Sequence, residues 1–185
     1  MGKSYSYHDL RALFENSINQ VEKLKTTPPE KLSYKPSEKG WCVGEIVQHL
    51  VRFNQLYLRF IGKALSKSDK PKVDQPSFSP RFLMNPFIRF LEPPYKLKIK
   101  TITQMKPLNT GSKDFSEDFD ELISQNRELI QIIHDAKQTG LNLNGIKGKN
   151  SVFMFRMTLT EFILFWDVHQ RRHLWQAEQT LAMRD

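Results

Sequence analysis

All ten prolines of this 185-residue chain fall between positions 28 and 36 or between 71 and 107, and that placement decides where long helices can form. A proline inside a helix removes a ladder hydrogen bond and clashes with the preceding turn. The remaining stretches are the ones that carry helical periodicity. The first runs from about Tyr7 to Lys25, with Leu10, Phe14, Ser17, Val21 and Leu24 on one stripe, and Thr26-Thr27-Pro28-Pro29 stops it. The second runs from near Cys42 to about Ser66, with Ile46, His49, Phe53, Tyr57 or Leu56, Phe60 and Ala64 inward. The third covers Phe115 to Gln138, with Phe119, Leu122, Asn126, Leu129 and Ile133 inward, and stops before Gly140. The fourth starts near Leu159 and continues to about Met183.

Two helix starts have a capping signature. Cys42-x-x-Glu45 has the form of a capping box with cysteine in the place of serine, and Trp41 precedes it as a hydrophobic staple. Thr158 with Glu161 is the ordinary form. Four amphipathic helices predict an all-α fold, a four-helix bundle with a long crossover between its second and third helices. At this size roughly 70% of the chain's surface can be buried, which suits one domain over 1–185.

The crossover, 67–113, holds seven prolines: Pro71, Pro76, Pro80, Pro86, Pro93, Pro94 and Pro107. Within it Ser79 to Leu91 predicts short helix, and Lys96 to Met105, alternating apolar and basic residues, predicts extended chain. Its length exceeds that of an ordinary connection and suggests a functional lid. Between the third and fourth helices, Gly145, Gly148 and Asn150 predict a loop and Val152 to Phe155 a brief extended run.

With 21 aromatic residues among 185, the chain is not disordered. A single cysteine excludes a disulfide scaffold and fits a reducing compartment. The most apolar run, Thr158 to Trp166, is too short to span a bilayer, and no signal-peptide-length apolar run follows the N-terminus. A cytoplasmic location is expected. The net charge of +8 invites nucleic acid as a partner. The densest basic stretch, Lys96, Lys98, Lys100 and Lys106, is interleaved with apolar residues, and no nucleic-acid motif is visible, so nucleic acid is not the expected partner.

The fourth helix places His169 and His173 on its apolar stripe, between Trp166 and Ala177. Side chains four residues apart lie on one helical face, so two imidazoles so placed can converge on one metal ion. His49 lies on the inward stripe of the second helix. A single inward histidine is commonly a core residue satisfied by a neighbour. Three of them leave several ring nitrogens in need of partners, and a divalent ion would satisfy all three at once. His8 and His134 are expected at the surface, His134 near the negative end of the third helix. Cys42, about two turns before His49, is a weaker candidate ligand. Glu45 is placed to serve as a base or to support His49, with the cap the preferred role. Gln176 is placed either to orient an imidazole or to pack.

Trp41-Cys-Val-Gly44-Glu45-Ile-Val-Gln-His49-Leu50, following Tyr34-Lys-Pro36, and the block His169-Gln-Arg-Arg172-His173-Leu-Trp-Gln176 together resemble the DinB-like (damage-inducible, YfiT-like) metalloenzymes. The resemblance extends over nearly the whole chain in order and spacing. It implies a four-helix bundle with a long second-to-third connection, a divalent ion (nickel or zinc) held by His49, His169 and His173, and a homodimer. Relatives with known activity use the metal for thiol chemistry. The resemblance therefore implies a metal-dependent thiol S-transferase or a hydrolase acting on a small molecule. Arg172 or loop lysines are candidates to hold an anionic thiol, with solvent or another helix the equal alternative for Arg172. The second reading is a stress-related, metal-binding bundle or dimerisation module without turnover. Cys42 departs from the family's common serine, and the 67–113 segment is unusually long and proline-rich. Neither departure touches a ligand position.

Overall fold

The computed structural model describes residues 3–67, 70–94, 101–108 and 114–183. Among these described residues it is mostly helical, with six α-helices and one β-hairpin: α1 (Tyr7–Lys25), α2 (Pro29–Leu32), α3 (Val43–Lys67), α4 (Met84–Leu91), α5 (Ser116–Gln138), β1 (Lys147–Asn150), β2 (Phe155–Thr158) and α6 (Leu159–Ala182). The four long helices are the four that the periodicity predicts. Helices α1 and α3 each pack against both α5 and α6, and the predicted stripes form the core between them. No helix among the described residues is long and apolar enough to cross a membrane.

The caps act as their sequences suggest. Thr158 and Glu161 form a reciprocal capping box at the start of α6. At α3 the Cys42 amide donates to Glu45 Oε2 at 3.0 Å, and the Glu45 amide meets Cys42 Sγ at 3.5 Å. Sulfur is the weaker acceptor in this pair. Replacing Cys42 by Ser is therefore expected to retain the box, whereas Cys42→Ala should lose about 1 kcal/mol of stability. Urea midpoints of the two variants check this.

Gly44, in the first turn of α3, lets α5 approach: a β-carbon there would lie 2.3 Å from the ring of Phe115, which is itself buried. The first ten residues of α6 are buried all round. Helix α4 and β2 pack on α6 as well as α1 and α3, so no side of that half faces solvent. Arg81, just before α4, fastens the connection to α6. Its amide and Nε bind Glu161 Oε1 at 2.9 and 2.8 Å, and its Nη2 binds Oε2 at 2.7 Å.

Three local expectations are corrected. The segment predicted as a loop through Gly148 and Asn150 is strand β1, paired antiparallel with β2 in the register Lys147 to Thr158 and Asn150 to Phe155. Gly148 allows this strand to lie on the helices, since a β-carbon there would meet Ala64 at 2.9 Å and Phe162 at 3.0 Å. The extended run is Phe155 to Thr158, and Val152 to Met154 form the turn instead. Asn150 builds that turn: its Oδ1 accepts from the amides of Val152 and Phe153, while its Nδ2 donates to the Tyr57 hydroxyl at 2.9 Å. In the connection, the expected short helix is Met84 to Leu91, and Thr103–Met105 is a 3-10 turn rather than extended chain. Lys96, Lys98 and Lys100 lie outside the described residues.

Candidate metal centre

Helix α3 contributes His49 and α6 contributes His169 and His173, and the packing of α3 on α6 brings the three rings together. One ring nitrogen from each lies within 4.8 Å of the other two. The ring centroids are 5.2 Å apart for His49 and His169, 4.5 Å for His49 and His173, and 4.6 Å for His169 and His173. His8 and His134 are exposed and stand apart from this cluster, as expected.

The partners of the rings determine which nitrogens face inward. His49 Nδ1 lies 2.6 Å from the Met105 carbonyl oxygen and donates to it, so its Nε2 carries the lone pair. His173 Nδ1 donates to Gln176 Oε1 at 2.9 Å, which leaves Nε2 as the acceptor there too. His169 Nε2 faces His49 Nε2 at 3.4 Å, and its Nδ1 has no hydrogen-bond partner among the described residues. His169 is held by stacking instead, with its ring 3.8 Å from that of Phe53 and inclined by 16°.

This arrangement suits a divalent ion. Zinc–imidazole bonds of about 2.0–2.1 Å at a tetrahedral angle separate two ligand nitrogens by about 3.3–3.4 Å, which matches the His49–His169 separation. Without a cation, two lone pairs would confront each other or share one long, poor hydrogen bond.

Burial keeps all three rings neutral. It lowers His49 to about 4, against the Met105 hydrogen bond and with help from Arg52. His169 is held well below the usual imidazole value by burial, then by His173, His49 and Arg172. His173 is held down by burial and by His49, against its bond to Gln176. Neutral imidazole is the metal-ligating form.

The other candidate residues separate clearly. Glu45 is buried, and its oxygens are engaged by the Cys42 amide and, at 2.9 Å, by Lys35 Nζ, contacts that lie at the helix start. Gln176 orients His173. Arg172 is buried and lines the cavity beside the rings. Cys42 is buried and absorbed in the cap, and burial raises its thiol pKa. Trp41, expected as a staple, lies 5.1 Å from the His49 ring. Two contributions had no signal in the sequence. The Met105 carbonyl is a backbone group, and Arg52 holds the turn that presents it by donating to the Gln104 carbonyl at 2.8 Å.

The rings line one side of an open cavity of about 420 Å³. Trp41, Phe53, Phe87, Phe153 and Phe165 supply aromatic walls, and Lys39 and Arg172 are the charged groups among the described lining residues. Two other hollows, of about 620 and 660 Å³, adjoin the outer face of α3 and contain none of the three histidines.

No curated protein and no solved structure matches the chain. The family model of the DinB superfamily matches residues 7–177, a span that includes both histidine-bearing helices. The chain therefore belongs to the DinB superfamily.

Proposed function

We propose that this chain is a metal-dependent enzyme acting on a small molecule, with His49, His169 and His173 holding a divalent ion, nickel or zinc. The observation that carries the proposal is the convergence of three neutral imidazoles, within 4.8 Å of one another, on an open cavity. The scaffold of this reading is a single domain, a four-helix bundle of α1, α3, α5 and α6 with the 67–113 segment as its long connection. The pairwise packing of those helices supports it.

Three protein ligands leave a coordination position for another molecule, the pattern of catalytic rather than structural sites. The bound ion would act as a Lewis acid that favours the deprotonated form of a thiol or of water. The residues of the chain favour an anion at the same place, since the three ligands are uncharged and Lys39 and Arg172 line the cavity. The reaction proposed is transfer of a low-molecular-weight thiol to a small electrophile, or hydrolysis of a small molecule. Gln176 and the Met105 carbonyl orient His173 and His49 by accepting their Nδ1 protons. A metal-binding module without turnover would be expected to seal its ion among apolar side chains, and the open cavity favours the enzyme instead. The single, buried cysteine fits a reducing compartment such as the cytoplasm. A homodimer is proposed on the family resemblance, and sedimentation measures it.

Elemental analysis of protein purified without an affinity tag, followed by assays with small thiols and a chlorodinitrobenzene acceptor, tests the reading. Stoichiometric metal and turnover that stops on chelation are expected. Protein that binds neither nickel nor zinc overturns it. Gln176→Ala removes one orienting partner, and metal affinity should fall about tenfold in equilibrium dialysis.

A further inference from the structure

The walls of the cavity carry information beyond the ligand set. Five aromatic side chains face it, from α3, α4, α6, the hairpin turn and the segment before α3. Several share one orientation. Phe87 and Phe165 are inclined by 13°, Phe165 and His169 by 19°, and Phe53 and His169 by 16°. Phe153 closes one side edge-on to Phe165, with centroids 5.4 Å apart and planes at 72°. Phe87 and Phe165 stack on each other and Phe53 on His169, so a flat aromatic ring entering the cavity meets what these stacks leave accessible, the outer parts of Phe87 and Phe153.

These rings are not all buried in the protein itself. Phe153 is 38% exposed and Phe87 is half-buried, so apolar surface remains for a ligand to cover. The cavity volume lies within the range of small-molecule sites, about 300–1,000 Å³. Its charged lining has one sign. Lys39 stands exposed at the rim and Arg172 lies buried beside the histidines, with no carboxylate among the described lining residues.

We infer that the molecule received here has a flat aromatic body and an anionic group. The body packs against the accessible parts of Phe87 and Phe153 at the open side of the cavity, and the anionic group is drawn by Lys39 and Arg172. This inference rests on the reading of the three histidines as the reacting end of the cavity, and it assigns the substrate class. The wall that selects the ring comes largely from α4 and the hairpin turn, not from the ligand-bearing faces of the long helices.

Calorimetry with four probes tests it: 2-naphthalenesulfonate, 2-naphthylmethylammonium, 2-naphthalenemethanol and cyclohexanesulfonate. The naphthalenesulfonate should bind about tenfold or more tightly than the ammonium, and also more tightly than the neutral alcohol and the non-aromatic sulfonate. Phe153→Ser should weaken it about three- to tenfold. Lys39→Glu should lower its affinity while raising that of the ammonium. Both positions are solvent-accessible, and circular dichroism verifies that the variants fold. Equal binding of the cationic and anionic naphthalenes, or affinities unmoved by both substitutions, overturns the inference. Protein that takes up metal stoichiometrically yet does not discriminate among the probes overturns the substrate class alone. Protein that takes up no metal and still ranks the probes as expected supports the substrate class and counts against the metal-dependent reading.

Discussion

His173→Ala protein should take up no stoichiometric nickel or zinc while retaining its helix content. The substitution leaves two candidate ligands, one on α3 and one on α6. Losing an outer partner of a ligand costs 10- to 100-fold in affinity, and losing the ligand itself should cost about 100-fold or more. The helix should tolerate the change. Alanine is the best helix former, and the His173 ring borders the cavity rather than filling the core. Equilibrium dialysis with elemental analysis and far-ultraviolet circular dichroism read the two quantities separately. The unsubstituted protein should also gain about 3 kcal/mol of stability at metal concentrations 100 times the dissociation constant, and the variant should gain almost none. Undiminished metal content in the variant would remove His173 from the site.

Metal-free protein should lose stability steeply between pH 6.5 and 4. The three imidazoles are neutral when folded, and burial holds their pKa values below the ordinary value of 6.5. As the pH falls through 6.5 the unfolded chain takes up protons that the folded chain refuses, so unfolding is favoured until the folded rings also protonate. For His49, lowered to about 4, the full effect amounts to about 3 kcal/mol. Asp167 works in the opposite direction, because burial raises its pKa despite Arg171 and it holds its proton more tightly when folded. The histidine contribution is therefore read as a difference. Urea midpoints measured at pH 7 and pH 5 should fall further in the unsubstituted protein than in His173→Ala, and equal falls would remove His173 from the account. Saturating metal should move the loss to lower pH, since the ion binds only deprotonated rings.

The long helices were legible because each has a wide apolar stripe and a chemical stop, and the capping pairs at α3 and α6 follow from residues three positions apart. His169 and His173 were legible for the same reason, a spacing that a helix converts into proximity. Their convergence with His49 depends on α3 packing against α6, which periodicity makes plausible but does not specify. The hairpin was not legible. Lys147-Gly-Lys-Asn150 has little strand preference, and what holds it is tertiary: the close approach at Gly148 and the bond from Asn150 to Tyr57. Glu45 illustrates the reverse case. Its proximity to His49 in sequence suggests chemistry and its spacing from Cys42 a helix start, and the bond seen is the one from the Cys42 amide.

The bond from His49 to the Met105 carbonyl joins the most irregular part of the chain to a ring on a regular helix. An imidazole whose far nitrogen donates to a strong acceptor is a more generous electron donor through its near one. Shortening, lengthening or rewording the stretch around Met105 would thus retune the donor strength of His49 at a distance, with every histidine still in place.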